Sequence, residues 1–125
     1  MNTVAELFSE LVFIQTLVKL HHWRVSRIKD AYAIHIALGE LYDDLSNPID
    51  NIVETYQGKF GIVQINVRNI SIDGLINDKL KGFVEKLEIM KVFGDRDTNT
   101  YLYNQIDEIV SLVYKTIYKL ENLRN

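Results

Sequence analysis

The sequence contains no cysteine. That excludes disulfides, thiolate metal sites and a cysteine nucleophile, and it fits a cytosolic protein. One proline and six glycines in 125 residues leave little room for linkers. No apolar run approaches the ~20 residues that span a bilayer. MNTVAELFSE lacks the basic and small-residue signature of a secretory signal. Base is also in short supply: 14 Lys and Arg stand against 17 Asp and Glu, for a net charge of -3. No general basic field therefore invites nucleic acid or an anionic membrane. MNTVAEL carries no base and KLENLRN too few to neutralise several phosphates. The rest is ordinary, with 47% hydrophobic and 25% charged residues. The expectation is one globular domain over residues 1–125, without repeats or low-complexity tails.

Hydrophobic periodicity predicts four helices. Thr3 and Glu6 form a T-x-x-E capping pattern, starting the first helix near Val4. Its buried face is Val4, Leu7, Leu11, Ile14 and Val18. Phe8, Val12 and Leu17 widen the apolar surface, which predicts cover from the bundle on one side and a second subunit on the other. RVSRIKD (24–30) reads as a short connection, with Asp30 capping a second helix over Ala31–Tyr56. The seam there is Ile34, Leu38, Leu41, Leu45, Ile49, Ile52 and Tyr56. Pro48 removes a backbone donor and predicts a bent helix or two shorter ones; the unbroken seam favours the bend. QGKFG ends it, and IVQINVRNISID then alternates in a strand-like or extended pattern.

That connection is about 17 residues, too long for a tight hairpin. At ~3.3 Å per extended residue it can cross a whole bundle. Asp73 is the expected cap of a third helix with seam Ile76, Leu80, Phe83, Leu87 and Met90, ending at Gly94. After the turn DRDTNT, a fourth helix has Leu102, Ile106, Ile109, Val113, Ile117 and Leu120 as its seam. Two short connections flank one long one. The fold expected is all-α, a ferritin-like four-helix bundle with a long crossover between helices 2 and 3.

Beside the seam of helix 2 runs a second stripe: His35, Gly39, Tyr42, Ser46, Asp50 and Glu54. Asp50 and Glu54 are four apart and share a face. His35 and Asp50 are separated by ~22 Å at 1.5 Å per residue, so one helix cannot bring them to the same ion. An antiparallel copy crossing near Tyr42 and Asp43, flanked by the small Gly39 and Ser46, would set Asp50 and Glu54 of one subunit beside His35 of the other. His21 and His22 border the buried face at the end of helix 1, where imidazolium also suits the helix dipole. Without a metal, His35 is a core or interface histidine, and Asp50 and Glu54 a solvated face. The chain has no E-x-x-H pair, no Ser/His/Asp pattern and no phosphate loop.

Between His22 and Glu54 the sequence resembles the mini-ferritins, the starvation-induced DNA-protection (Dps) family. That family has a His-Trp pair ending its first helix, matched by His22 and Trp23. About twelve residues on comes a second histidine, matched by His35 after one extra residue. An Asp and a Glu follow fifteen and nineteen further on, matched by Asp50 and Glu54. The resemblance implies a dimer-interface metal site of His22, His35, Asp50 and Glu54, taking iron or zinc. It also implies ferroxidation of Fe(II) by peroxide or dioxygen, and a homo-oligomer, from a dimer up to a twelve-subunit cage. Gly39 stands where the family has a further aspartate, four after the second histidine, which predicts weakened or absent activity.

YAIHIALGELYDDL, YQGKFG and NTYLYNQIDEIVSLVYKTIYKL are also similar to small ferritin-like proteins of tailed bacteriophages, over more of the chain. That resemblance implies a viral origin and a place in the bacterial host cytoplasm. It supplies a second expectation: a non-enzymatic structural or host-interaction protein with a degenerate metal site.

Overall fold

Four α-helices carry the fold: α1 (Val4–Arg24), α2 (Ala31–Phe60), α3 (Ile76–Ile89) and α4 (Thr100–Glu121). The computed structural model describes residues 3–25 and 31–123, among which there is no strand. The expected Asp30 cap and most of the connection before it lie outside the described residues. Thr3 starts α1 as expected, its hydroxyl accepting from the Glu6 amide at 3.1 Å. Such a bond satisfies one of the amides a helix start leaves without a partner.

Contacts between named residues give the direction of each helix. Phe8 meets Tyr56 while His22 meets His35, so α1 and α2 are antiparallel. Gln105 bonds Thr55 while Lys119 pairs with Glu40, so α4 is antiparallel to α2. Lys81 pairs with Glu121 and Tyr114 bonds Glu88, so α3 is antiparallel to α4. α3 is therefore parallel to α2. Around the bundle the order is α1, α2, α4, α3, with α3 closing sparsely on α1. This is the up-down-down-up arrangement of a four-helix bundle with one crossover.

Parallel α2 and α3 require the chain to return along the whole bundle. Residues 61–75 make that return without regular structure. Fifteen extended residues reach ~50 Å at 3.3 Å each, against ~45 Å for the 30-residue α2. The alternating apolar pattern is a crossover and not a strand: Val63, Ile65, Ile70 and Ile72 turn toward the core. Arg68 fastens it to α1, pairing with Glu10 at 3.3 Å and lying over the Phe13 ring.

The core is the four expected seams. Leu7, Leu11, Leu38, Leu45, Ile52, Leu80, Leu102 and Ile109 are wholly buried. α2 runs unbroken through Pro48, which is itself buried. It extends to Phe60, past the end expected at Tyr56, because its last turn finds tertiary partners. Tyr56 and Phe60 pack ring on ring, and Lys59 reaches Asn99 at 3.2 Å. Gly61, at φ 103°, then turns the chain out, a conformation glycine adopts without strain.

The ends of α3 differ from expectation. Asp73 does not cap it: its carboxylate and amide bond the Ser71 hydroxyl, and Gly74 intervenes. Leu75 occupies the cap position with no side-chain bond. The helix closes at Ile89, and Met90 is extended yet still buried. Residues 90–99 instead form a turn tied down by Asn99 and Tyr103.

The width of α1 is covered within the subunit. Phe8 and Leu17 are fully buried, and Phe13 lies under Arg68 of the crossover. Only Val12 of the three widening residues stays partly exposed. A second subunit is not needed to explain this surface.

Candidate metal centre

His22 and His35 are brought together where the last turn of α1 passes the first turns of α2. Their rings stack with centroids 3.8 Å apart and planes 16° from parallel. Nδ1 of His22 lies 2.6 Å from the carbonyl oxygen of His35. Nδ1 of His35 lies 2.7 Å from the carbonyl oxygen of His22. A carbonyl oxygen only accepts, so each Nδ1 carries the hydrogen, and in the neutral ring each Nε2 then keeps its lone pair. The two residues form a reciprocal clasp across the helix pair.

Gly39 makes the clasp fit. A β-carbon there would stand 2.8 Å from Cε1 of His22 and 3.1 Å from its Nδ1. The stripe that sequence suggested for a second subunit is thus taken by α1 of the same chain. Gly39 receives His22, Tyr42 receives Lys19, and Ser46 accepts from Gln15 at 2.9 Å. Gln15, Lys19 and His22 ascend α1 as Ser46, Tyr42 and Gly39 descend α2, which is antiparallel packing in register. Gln15 and Lys19 were missed by sequence reasoning. The opposed spacings four-then-three on the two helices were the signal that could have found them.

Lys19 also has Trp23 and Tyr42 on either side, its Nζ 5.0 and 4.7 Å from the ring centroids. Trp23 nonetheless remains more than half exposed.

Asp50 and Glu54 lie elsewhere. Both are exposed on one face of α2, without a hydrogen-bond or ion-pair partner among the described residues. The continuous helix keeps Asp50 ~22 Å along its axis from His35. Among the described residues, no group of three or more potential ligands gathers within one chain. Glu40, next to Gly39, does not replace the absent aspartate, because it faces α4 and pairs with Lys119 at 2.9 Å.

His21 departs from the helix-end reading. Burial lowers its pKa first, and the positive charges of Lys79 and Arg24 add to that. Its Nε2 is buried without a hydrogen-bond partner among the described residues. The neutral imidazole is favoured here, so the attraction of an imidazolium for the helix dipole does not decide this position.

The donor chemistry fits a borderline divalent ion. Ligating histidines usually donate their second ring nitrogen to a carbonyl or carboxylate, fixing the tautomer. Both histidines here do so. The ring geometry is more restrictive. Each lone pair lies in its own ring plane, and nearly parallel rings stacked with centroids 3.8 Å apart do not aim both lone pairs at one point ~2.0–2.1 Å from each nitrogen, the metal–nitrogen bond length. As the rings stand, one imidazole or the other can serve a given ion.

A family of unknown function, DUF5856, matches residues 28–120. The chain belongs to this family. The matched span includes His35, Gly39, Asp50 and Glu54, and stops short of α1 with His22. No curated protein and no solved structure matches the chain.

Proposed function

We propose that two copies of this chain bind a divalent transition metal between them, with imidazole nitrogen from one copy and Asp50 and Glu54 from the other. The observation that carries this reading is the pair of Nδ1–carbonyl bonds, which in the neutral rings leave both Nε2 atoms as the available acceptors. The unpartnered carboxylates of Asp50 and Glu54 support it, since they are too distant to complete a site in their own chain. Iron(II) is the substrate the mini-ferritin resemblance implies, oxidised by dioxygen or peroxide, and zinc is the alternative ion. With Gly39 the ligand set is one carboxylate short, so uptake without rapid oxidation is expected.

Calorimetry with Fe(II) under nitrogen and with Zn(II) tests the proposal. Uptake at micromolar concentration, lost in Asp50→Ala/Glu54→Ala, is the expected result. Native protein that takes up neither ion refutes it.

One observation favours a second reading. His22 is seated against Gly39 and stacked on His35 as a structural tie would be. On that reading the bundle is a non-enzymatic scaffold or interaction protein, in keeping with the phage resemblance.

A further inference from the structure

The crossover is nearly extended, because residues 61–75 must return along the ~45 Å of α2. Its backbone pairs with almost nothing. The Val63 amide bonds the Gln57 side chain and the Asp73 amide bonds the Ser71 hydroxyl. Between them, from Gln64 to Ile72, no backbone amide or carbonyl has a hydrogen-bond partner among the described residues. The run holds Ile65, Val67, Ile70 and Ile72 and neither proline nor glycine. An extended edge of that composition is one that takes up another strand. The run is also alike from both ends. About the bond between Val67 and Arg68, Asn66 mirrors Asn69, Ile65 mirrors Ile70, Gln64 mirrors Ser71 and Val63 mirrors Ile72. Burial has the same symmetry. Val63, Ile65, Ile70 and Ile72 turn toward the core, whereas Gln64, residues 66–69 and Ser71 are exposed.

We propose that this run is a self-pairing edge, through which two copies of the chain join as an antiparallel ladder with its twofold axis between Val67 and Arg68. Residues that face each other across such a ladder lie on the same side of it. One register sets all four inward residues of one copy opposite inward residues of the other, Val63 against Ile72 and Ile65 against Ile70. A slip of one residue sets every one of them opposite an exposed residue. In the symmetric register Asn66 faces Asn69 and Gln64 faces Ser71, polar pairs that can bond across the ladder. Val67 faces Arg68, whose side chain leans back over Phe13. A foreign strand would need no mirror symmetry in this sequence, so a second copy is the occupant it fits. Two strands alone are marginal in water, but the inner side of these already lies on helices. The pairing is made by the crossover and not by α2, so it does not depend on the metal reading.

The chain has no cysteine, so introduced thiols report the register directly. Asn66→Cys and Asn69→Cys change exposed side chains only. Residue 66 of one copy should lie ~4.5–5.5 Å at Cα from residue 69 of the other, within disulfide reach. The two residues 66 should lie ~10 Å apart, three positions along the ladder. Oxidising an equal mixture of the two variants, with chelator present to exclude metal bridging, should give about tenfold more mixed disulfide dimer than either homodimer, since Cα atoms more than ~7 Å apart are not bridged without backbone movement. Sedimentation equilibrium of native protein, also with chelator, should show its mass rising toward that of a dimer as concentration approaches millimolar. Val67→Lys sets a lysine against Arg68 of the other copy at both central pairs and should weaken that association about tenfold. Mixed disulfide no more abundant than the homodimers overturns the register. A native monomer at every concentration, or a dimer that Val67→Lys leaves unchanged, overturns the self-pairing edge. Should a cysteine variant fail to fold, the sedimentation of native protein and Val67→Lys decides.

Discussion

The imidazole of His22 occupies the volume a side chain at residue 39 would need, 2.8 Å from the position of its first carbon. A large residue there must expel the ring or part α1 from α2. Gly39→Leu should therefore lower the stability of the subunit itself by about 1–3 kcal/mol, the usual cost of overfilling a packed contact. Urea denaturation would show this as an earlier midpoint. A midpoint equal to that of native protein would mean the ring has room to move.

A metal shared between copies has a signature in mixed dimers. His35→Ala chains keep their carboxylates, and Asp50→Ala/Glu54→Ala chains keep their imidazoles. Neither homodimer should take up zinc with native affinity. Mixing the two should restore it, because one of the two interface sites in each mixed dimer is then complete. Native affinity in either homodimer alone would show the site is not shared.

The turn between α3 and α4 hangs on a buried amide. Asn99 is 8% exposed, donates to the Phe93 carbonyl at 2.8 Å and accepts from Lys59. Asn99→Ala leaves that carbonyl without its donor and should cost about 1–3 kcal/mol. Thermal unfolding by circular dichroism measures it. Arg68→Ala removes both the pair with Glu10 and the guanidinium cover of the Phe13 ring, and should cost about 1–2 kcal/mol.

Tyr114 should ionise late. Its hydroxyl bonds the Glu88 carboxylate, and that bond, with lesser contributions from burial and from the charges of Glu88 and Glu85, raises its pKa above 10.0. The neutral phenol is the form that donates. The bond is thus fully present below pH about 10 and lost as pH rises through the raised value. Absorbance titration of the phenolate should show a late component that disappears in Tyr114→Phe and moves to lower pH in Glu88→Gln. An unchanged profile in Glu88→Gln would show that the carboxylate does not hold the phenol.

The fold was legible in the sequence because its determinants are periodic. Leu38, Leu41, Leu45 and Ile52 recur at helical spacing, and burial of that stripe selects a helix whatever packs against it. The length of 61–75 likewise required a crossover, since chain reach alone fixes how far it can return. Helix ends were less legible, because tertiary partners decided them. Lys59 reaching Asn99 prolongs α2 past Tyr56, and Ser71 draws Asp73 away from the start of α3. The candidate site divides in the same way. Spacing along one rigid helix determined that His35 and Asp50 stand apart. Only the packing of α1 on α2 decided that His22 stacks on His35, that Gly39 makes space for its ring, and that Ser46 answers Gln15. Those relationships depend on the register between two helices, to which residues far apart in the chain contribute jointly and which no single segment encodes.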